Sequence, residues 1–77
     1  MNAATAMNRA IAAAGGQSAL ARALAERTGR PVRQGHIWAW VNRTCRVPAE
    51  YVLPIEGVTG ISRHDLRPDL YPRESAA

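Results

Sequence analysis

The stretch RQGHIWAW, residues 33–40, contains both tryptophans of the chain, Trp38 and Trp40. Residues two apart on a helix do not face the same way, so a helix here places at most one tryptophan squarely in a core. At about 100° per residue, Ile37, Trp40 and Val41 form one apolar stripe. Trp40 is therefore the predicted core tryptophan, and Trp38 is predicted at the border between core and surface.

Small and polar residues occupy the side of this helix opposite the apolar stripe. Gly35, Ala39 and Asn42 fall within about 40° of the opposite pole, while His36 and Trp38 flank the stripe. Small side chains on an outer face let a helix backbone approach base edges in the major groove of DNA. The pattern favours a recognition helix; the alternative is a generic helical bundle with a polar surface.

The rest of the sequence predicts more short helices and no strand. Gly15 and Gly16 end the first helix, and Gly29 followed by Pro31 ends the second near Arg27. Ser62 is a predicted helix cap. Pro48 suits the first turn of a helix whose interior Pro54 should kink or loosen. The predicted helices cover roughly residues 4–14, 17–27, 33–43, 48–59 and 63–67.

Length and composition fit one small globular domain. The chain has 77 residues, of which 47% are hydrophobic, a value typical of globular rather than disordered chains. We therefore predict an all-α fold: a compact four- to five-helix domain with a helix-turn-helix over residues 1–72. Residues 73–77 are expected to form a flexible C-terminal tail.

Positive charge is concentrated in the middle third of the chain. The net charge is +4, and residues 22–46 contain six Arg against one acidic residue, Glu26. Such a concentration suggests a nucleic-acid-binding face. The alternative is a solvated, arginine-rich surface with no partner.

Several side chains have the chemistry of DNA contacts. Gln34 can bond adenine through two hydrogen bonds, and Ala39 can touch a thymine methyl group. His36 and Trp38 lie beside the groove-facing pole and join the candidate DNA-binding residues. Polar side chains at helix ends are the candidate phosphate contacts: Gln17, Arg33, Asn42 and Arg43.

Three roles compete for Trp38. Its ring can pack under the long connection over residues 25–32, contact DNA sugars or thymine methyl groups, or bind a protein partner. The helical wheel favours a mixed role, with one face of the ring against protein and the other towards DNA.

The sequence contains little that supports an enzymatic activity, so no catalytic residue, metal or cofactor is expected. His64 and Asp65 are adjacent and would point apart on a helix. Metal sites need three or four closely spaced ligands, which this chain does not offer.

Cys45 is the sole cysteine and cannot form an internal disulfide. A reducing, cytoplasmic location is the default expectation. No run approaches the ~18 apolar residues of a membrane span, and the N-terminal stretch is a poor signal peptide.

Four segments resemble a known family: GGQSALARAL (15–24), GHIWAW (35–40), RVPAEYVLPIE (46–56) and TGISRHDLRPDLYP (59–72). They are similar to the YdaS family of Cro-like prophage regulators, often described as antitoxins. The resemblance implies a five-helix, lambda-repressor-like fold that binds DNA through the second helix of its helix-turn-helix. By position it implies a phosphate contact at Gln17 and a backbone contact at Asn42. The implied base-facing positions are Gln34, Gly35 and Ala39.

The sequence departs from this family between the second and third helices. A short GVS-like turn is usual there, whereas this chain has AERTGRPV (25–32), about six residues longer. Arg33 also replaces a Ser or Thr cap. Either the second helix is extended by a turn or the connection loops outward.

Two functions follow from these observations. The first is a sequence-specific, Cro-like DNA-binding regulator, expected to act as a repressor. It would insert its third helix into the major groove as a homodimer on a near-palindromic operator, with the last two helices supplying the dimer contact. The second is an antitoxin-type interaction protein that binds a toxin partner, with DNA binding as a secondary, autoregulatory activity.

Overall fold

The computed structural model describes residues 3–72. Within this range the chain forms no strand, and the prediction of an all-α fold with four to five helices is confirmed. The predicted tail, residues 73–77, lies outside the described residues. None of the described helices is long and apolar enough to cross a membrane. The helices are α1 (Ala3–Ala14), α2 (Gln17–Thr28), α3 (Gln34–Asn42), α4 (Ala49–Thr59) and α5 (Arg63–Leu66).

Glycine ends α2 and α4, as the sequence predicts. Gly29 and Gly60 adopt the left-handed conformation, with φ of 71° and 78°. Their backbone N–H groups donate to the carbonyls of Ala25 and Glu56 at 2.9 and 2.8 Å. A residue without a side chain adopts this conformation without a steric penalty, so each helix stops within one residue of its glycine.

The long connection between α2 and α3 is shortened because α2 continues to Thr28. The Thr28 hydroxyl donates to the Leu24 carbonyl at 2.8 Å and accepts from the backbone N–H of Arg30 at 3.2 Å. Residues 29–33 then cross to α3, and Val32 anchors them in the core with 7% of its surface exposed. Of the two alternatives, the structure therefore has the extended helix.

The extended end of α2 lies against α4. The guanidinium of Arg27 occupies the space beside Gly57, so close that a Cβ atom there would lie 2.5 Å from it. Arg30, just past the end of α2, forms a loose ion pair with Glu50 at 3.8 Å. The additional turn of α2 thus extends the contact between α2 and α4.

The start of α4 differs slightly from its prediction. Pro48 has an extended backbone, with φ −57° and ψ 142°, and precedes the first helical residue instead of lying within the first turn. The helix continues through Pro54, which has no N–H to donate to the carbonyl of Glu50. A kink at Pro54 stays a prediction.

All five helices contribute to one core. Trp40 lies between α3 and α4, and its ring centroid is 5.0 Å from that of Tyr51. Ile11 and Ala14 of α1 pack against the core from its edge. Its buried apolar side chains are Ala6, Met7, Ala10, Leu20, Ala21, Leu24, Val32, Ile37, Trp40, Val47, Val52, Ile55 and Leu66.

A buried arginine fastens the segment after α5 to the loop before α4. Arg67 is 9% exposed, and its Nη1 donates to the Val47 carbonyl at 2.6 Å. Its Nε and Nη2 donate to the two carboxylate oxygens of Asp69 at 2.9 and 2.7 Å. These hydrogen bonds lower the pKa of Asp69 to about 2. The sequence pattern does not predict this contact.

Candidate nucleic-acid interface

The two faces of α3 divide as the helical wheel predicts. Ile37 is fully buried and Trp40 is 9% exposed, whereas Trp38 is 48% exposed. Val41 is partly buried against the core. The assignment of Trp40 to the core and Trp38 to the border is therefore confirmed.

The outer face of α3 is open and has little side-chain bulk. Gly35 and Asn42 are exposed, and Ala39 is half-buried. Around the position where a Cβ of Gly35 would lie, no heavy atom outside the helix itself comes within 4 Å. This end of the helix can thus approach another surface closely.

The N-termini of α2 and α3 are joined by their first residues. The Gln34 side-chain amide donates to the Gln17 side-chain carbonyl, across seventeen positions of sequence. One amide hydrogen and the carbonyl oxygen of Gln34 remain outside this contact, which are the groups an adenine edge requires. Gln17 keeps its amide donors, which suit a phosphate oxygen. Two candidate residues are therefore brought together and keep the groups their predicted roles require.

The missing Ser or Thr cap of α3 is compensated by His36. Arg33 precedes the helix with an extended backbone, and its guanidinium contains donors only, so it cannot accept from the helix. His36 Nδ1 instead accepts from the backbone N–H of Arg33 at 3.0 Å. Within the described residues, the backbone N–H groups of Gln34 and Gly35 have no acceptor.

At the C-terminal end of α3, the Asn42 side chain makes one hydrogen bond within the helix. Its Nδ2 donates to the Trp38 carbonyl at 3.0 Å, which leaves one amide hydrogen for a phosphate. The backbone N–H groups of Arg43 and Thr44 donate to the Ala39 carbonyl at 2.8 and 3.0 Å. Cys45 then turns the chain away in the left-handed conformation, with φ 53°.

The charges of the molecule are paired unevenly. Arg63 donates to Glu56 from its backbone and its guanidinium, which lowers the pKa of that carboxyl. The neighbouring Arg46 helps to keep the pKa of Asp69 low. Among the described residues no ion pair is found for five arginines of the basic middle third: Arg22, Arg27, Arg33, Arg43 and Arg46. Their charge is free to act on an external anion.

The nine candidate residues form three groups along α3. The N-terminal group lies around the junction of α2 and α3, with Trp38 and Ala39 in mid-helix and the last two candidates at the C-terminal end. Two exposed arginines of α2, Arg22 and Arg27, are not among the nine candidates, although they belong to the basic segment of residues 22–46. The N-terminal group is Gln17, Arg33, Gln34, Gly35 and His36, and the C-terminal pair is Asn42 and Arg43.

Comparison with known proteins identifies the family. A model of the family described as Bacterial toxin YdaS matches residues 7–75. The chain belongs to this family. The match covers most of α1, the whole α2–α3 unit and the C-terminal anchor at Arg67. A search of curated proteins gave no match, and neither did a search of solved structures.

Membership of the YdaS family confirms the resemblance found in the sequence at the level of the family. The family description names a bacterial toxin, whereas the resemblance implied a regulator often described as an antitoxin. Both descriptions connect this YdaS protein with toxin–antitoxin biology.

Proposed function

We propose that this YdaS protein is a sequence-specific DNA-binding regulator that inserts α3 into the major groove. The observation that carries the proposal is the contrast between the two faces of α3. One face is fully built into the core through Ile37 and Trp40, and the other presents Gly35 and Asn42 to solvent. A helix whose inner face is packed into the core and whose outer face has little side-chain bulk has the shape that groove insertion requires.

The N-termini of α2 and α3 support a phosphate contact next to this face. Helix N-termini carry partial positive charge and free N–H groups, which attract phosphate oxygens. Here two such termini are held together by Gln17 and Gln34. Arg33 adds a full positive charge at the same place. These groups would fix the protein on the DNA backbone while the middle of α3 faces base edges.

Regulation by repression and dimerisation belong to the same proposal. One small domain covers only a few base pairs, so two copies on a near-palindromic site about one helical turn (~34 Å) apart would supply useful specificity. The basic surface must stay free for DNA, which leaves α4 and α5 as the proposed dimer contact. Bound across a promoter, such a dimer would exclude polymerase and act as a repressor.

The proposal is tested by selecting preferred sequences from a library of random duplexes. Duplexes retained by the purified protein are sequenced, and the affinity for the enriched sequence is compared with that for a scrambled one by fluorescence anisotropy. We expect an enriched, near-palindromic motif bound at least about 10³-fold more tightly than scrambled DNA. Equal affinity for both would contradict sequence-specific regulation.

A second candidate function is protein binding within a toxin–antitoxin pair. The family description names a toxin, and Trp38 leaves 48% of its surface uncovered next to α3. An exposed tryptophan is a frequent anchor of protein interfaces. In this role the protein would bind its toxin or antitoxin counterpart and use DNA only for autoregulation.

Growth measurements separate the two functions. The wild type, Gly35→Glu and Trp38→Ala are each expressed from an inducible promoter, and growth is followed after induction. If the wild type acts through DNA, any arrest of growth should disappear with Gly35→Glu and persist with Trp38→Ala at high expression. Arrest that persists in Gly35→Glu and disappears in Trp38→Ala would favour the protein-binding function.

A further inference from the structure

The tautomer of His36 is fixed by the helix that it caps. The backbone N–H of Arg33 donates to His36 Nδ1 at 3.0 Å. A backbone N–H can only donate, so Nδ1 must be the unprotonated nitrogen and the ring proton must lie on Nε2. The same contact that compensates for the missing Ser or Thr cap therefore leaves His36 with one N–H donor on the opposite edge of its ring.

The second histidine has the opposite tautomer. His64 Nδ1 lies 2.8 Å from the carbonyl oxygen of Tyr71. A carbonyl can only accept, so this Nδ1 carries the proton. The two histidines of the chain thus provide an internal comparison, one with its proton on Nε2 and one with its proton on Nδ1.

His36 lies where a groove-bound helix meets the DNA backbone. It is exposed and sits at the N-terminal end of α3, about 100° away from the buried Ile37. When the outer pole of a helix faces base edges, its flanks face the sugar–phosphate walls of the groove. Arg33 and the Gln17–Gln34 contact lie at the same end, so the surroundings of His36 favour an anion.

We propose that His36 is a phosphate-binding residue whose donor is aligned by the N-terminus of α3. Nδ1 holds the ring against the backbone of Arg33, and Nε2–H donates to a phosphate oxygen of the bound duplex. This inference rests on the proposed DNA-binding function and assigns a specific chemical role within it. It also accounts for the use of a histidine where Ser or Thr at the preceding cap position would be enough to start a helix.

Substitutions of His36 distinguish a phosphate contact from helix capping alone. Glutamine at this third position of the helix offers both an acceptor for the Arg33 N–H and an outward donor. Glutamate keeps the acceptor and removes the donor, and leucine removes both. Asn8→Glu, on an exposed position of α1, introduces the same extra negative charge as His36→Glu and serves as its control.

The tautomer is tested without DNA by long-range ¹H–¹⁵N NMR of the neutral protein. We expect the Nε2–H pattern for His36 and the Nδ1–H pattern for His64, with His36→Gln assigning the signals. An Nδ1–H pattern for His36 would overturn the inference, whatever the protein binds.

The phosphate contact is tested by anisotropy with two duplexes about 20 base pairs long, the selected duplex and one of unrelated sequence. His36→Gln should bind both like the wild type. His36→Glu should melt like the wild type and bind about tenfold more weakly than Asn8→Glu, by the same factor on both duplexes. His36→Leu should lose both stability and affinity.

The outcomes distinguish the inference from the proposed function. Affinity of His36→Glu equal to that of Asn8→Glu, or a loss on one duplex alone, overturns the phosphate contact and leaves DNA binding in place. A wild-type protein that binds neither duplex overturns the proposed function, and the phosphate contact with it.

Discussion

At the scale of single residues, the two tryptophans have separate tasks in spite of their spacing. Trp40 is buried and its ring contacts that of Tyr51, whereas Trp38 keeps 48% of its surface exposed. The apolar stripe of α3 was sufficient to predict this division, because burial on a helix follows directly from its 3.6-residue period.

Alanine substitutions of the tryptophans should therefore have different effects. Trp40→Ala removes a buried ring and should cost about 3–5 kcal/mol of unfolding free energy. Trp38→Ala should cost clearly less and should weaken DNA binding by about 1–3 kcal/mol, the size of a good groove contact. Urea denaturation of both variants and a DNA titration of Trp38→Ala measure these effects. A larger loss of stability for Trp38→Ala than for Trp40→Ala would contradict the register of α3.

Asp69 should make the folded state sensitive to acid. Its folded-state pKa of about 2 lies below its ordinary value of 3.8, because Arg67 donates to the ionised form. The resulting stability is fully present above about pH 4 and is lost as the pH falls through about 2. The difference in unfolding free energy between the wild type and Asp69→Asn should shrink over this range. Urea titrations at several pH values would contradict the role of Asp69 if the difference stayed constant.

Long-range polar contacts were beyond prediction from the sequence. Arg67 reaches Val47 across twenty positions, and Gln34 reaches Gln17 across seventeen. Hydrogen bonds of this kind depend on how helices are arranged in space, and no local periodicity encodes that arrangement. The cap formed by His36 was accessible in principle, since a polar residue three positions after a helix start is a known capping position.

At the scale of secondary-structure elements, glycine and proline determine most helix ends. Gly29 and Gly60 end their helices where the sequence predicts. The departure from the family between α2 and α3 left two alternatives open, because AERTGRPV contains both helix-forming residues and breakers. The tertiary contacts of Arg27 with Gly57 and of Val32 with the core accompany the extended helix.

Alanine substitutions of two glycines compare the effect of an added methyl group at the end of α2 with its effect at the start of α3. Gly29→Ala forces a side chain into the left-handed conformation and should cost about 1–2 kcal/mol, although nothing obstructs the added methyl group. Gly35→Ala places the same methyl group in equally open space on a helical backbone, and should add up to about 1 kcal/mol of stability. Thermal melts compare the two. If both substitutions changed the stability equally, a side chain at position 29 would carry no steric penalty in the left-handed conformation.

At the scale of the whole molecule, the unpaired arginines predict that DNA binding depends strongly on salt. Each phosphate neutralised releases counterions and contributes a slope of about −0.9 to log K against log salt concentration. Arg22→Gln should make the slope less steep by about one unit if this residue of α2 contacts phosphate. Anisotropy titrations at four or five salt concentrations give the slope, and a flat line for the wild type would exclude an electrostatic interface.

Assembly on DNA should involve two copies of the chain. Specific recognition by so small a domain calls for two half-sites, which a homodimer joined through α4 and α5 would contact together. Sedimentation of the protein with the selected duplex should show two subunits per DNA at saturation. One subunit per duplex at saturation would contradict the dimer.

The most direct test of groove insertion by α3 is the affinity of Gly35→Glu for the selected duplex. A carboxylate at this open position should hold the helix away from the bases and weaken binding at least about 30-fold, the size of one good base contact. Asn8→Glu carries the same charge change on α1 and should weaken binding by less than about threefold. Circular dichroism confirms that both variants are folded. A folded Gly35→Glu that binds as tightly as Asn8→Glu would contradict groove insertion by α3.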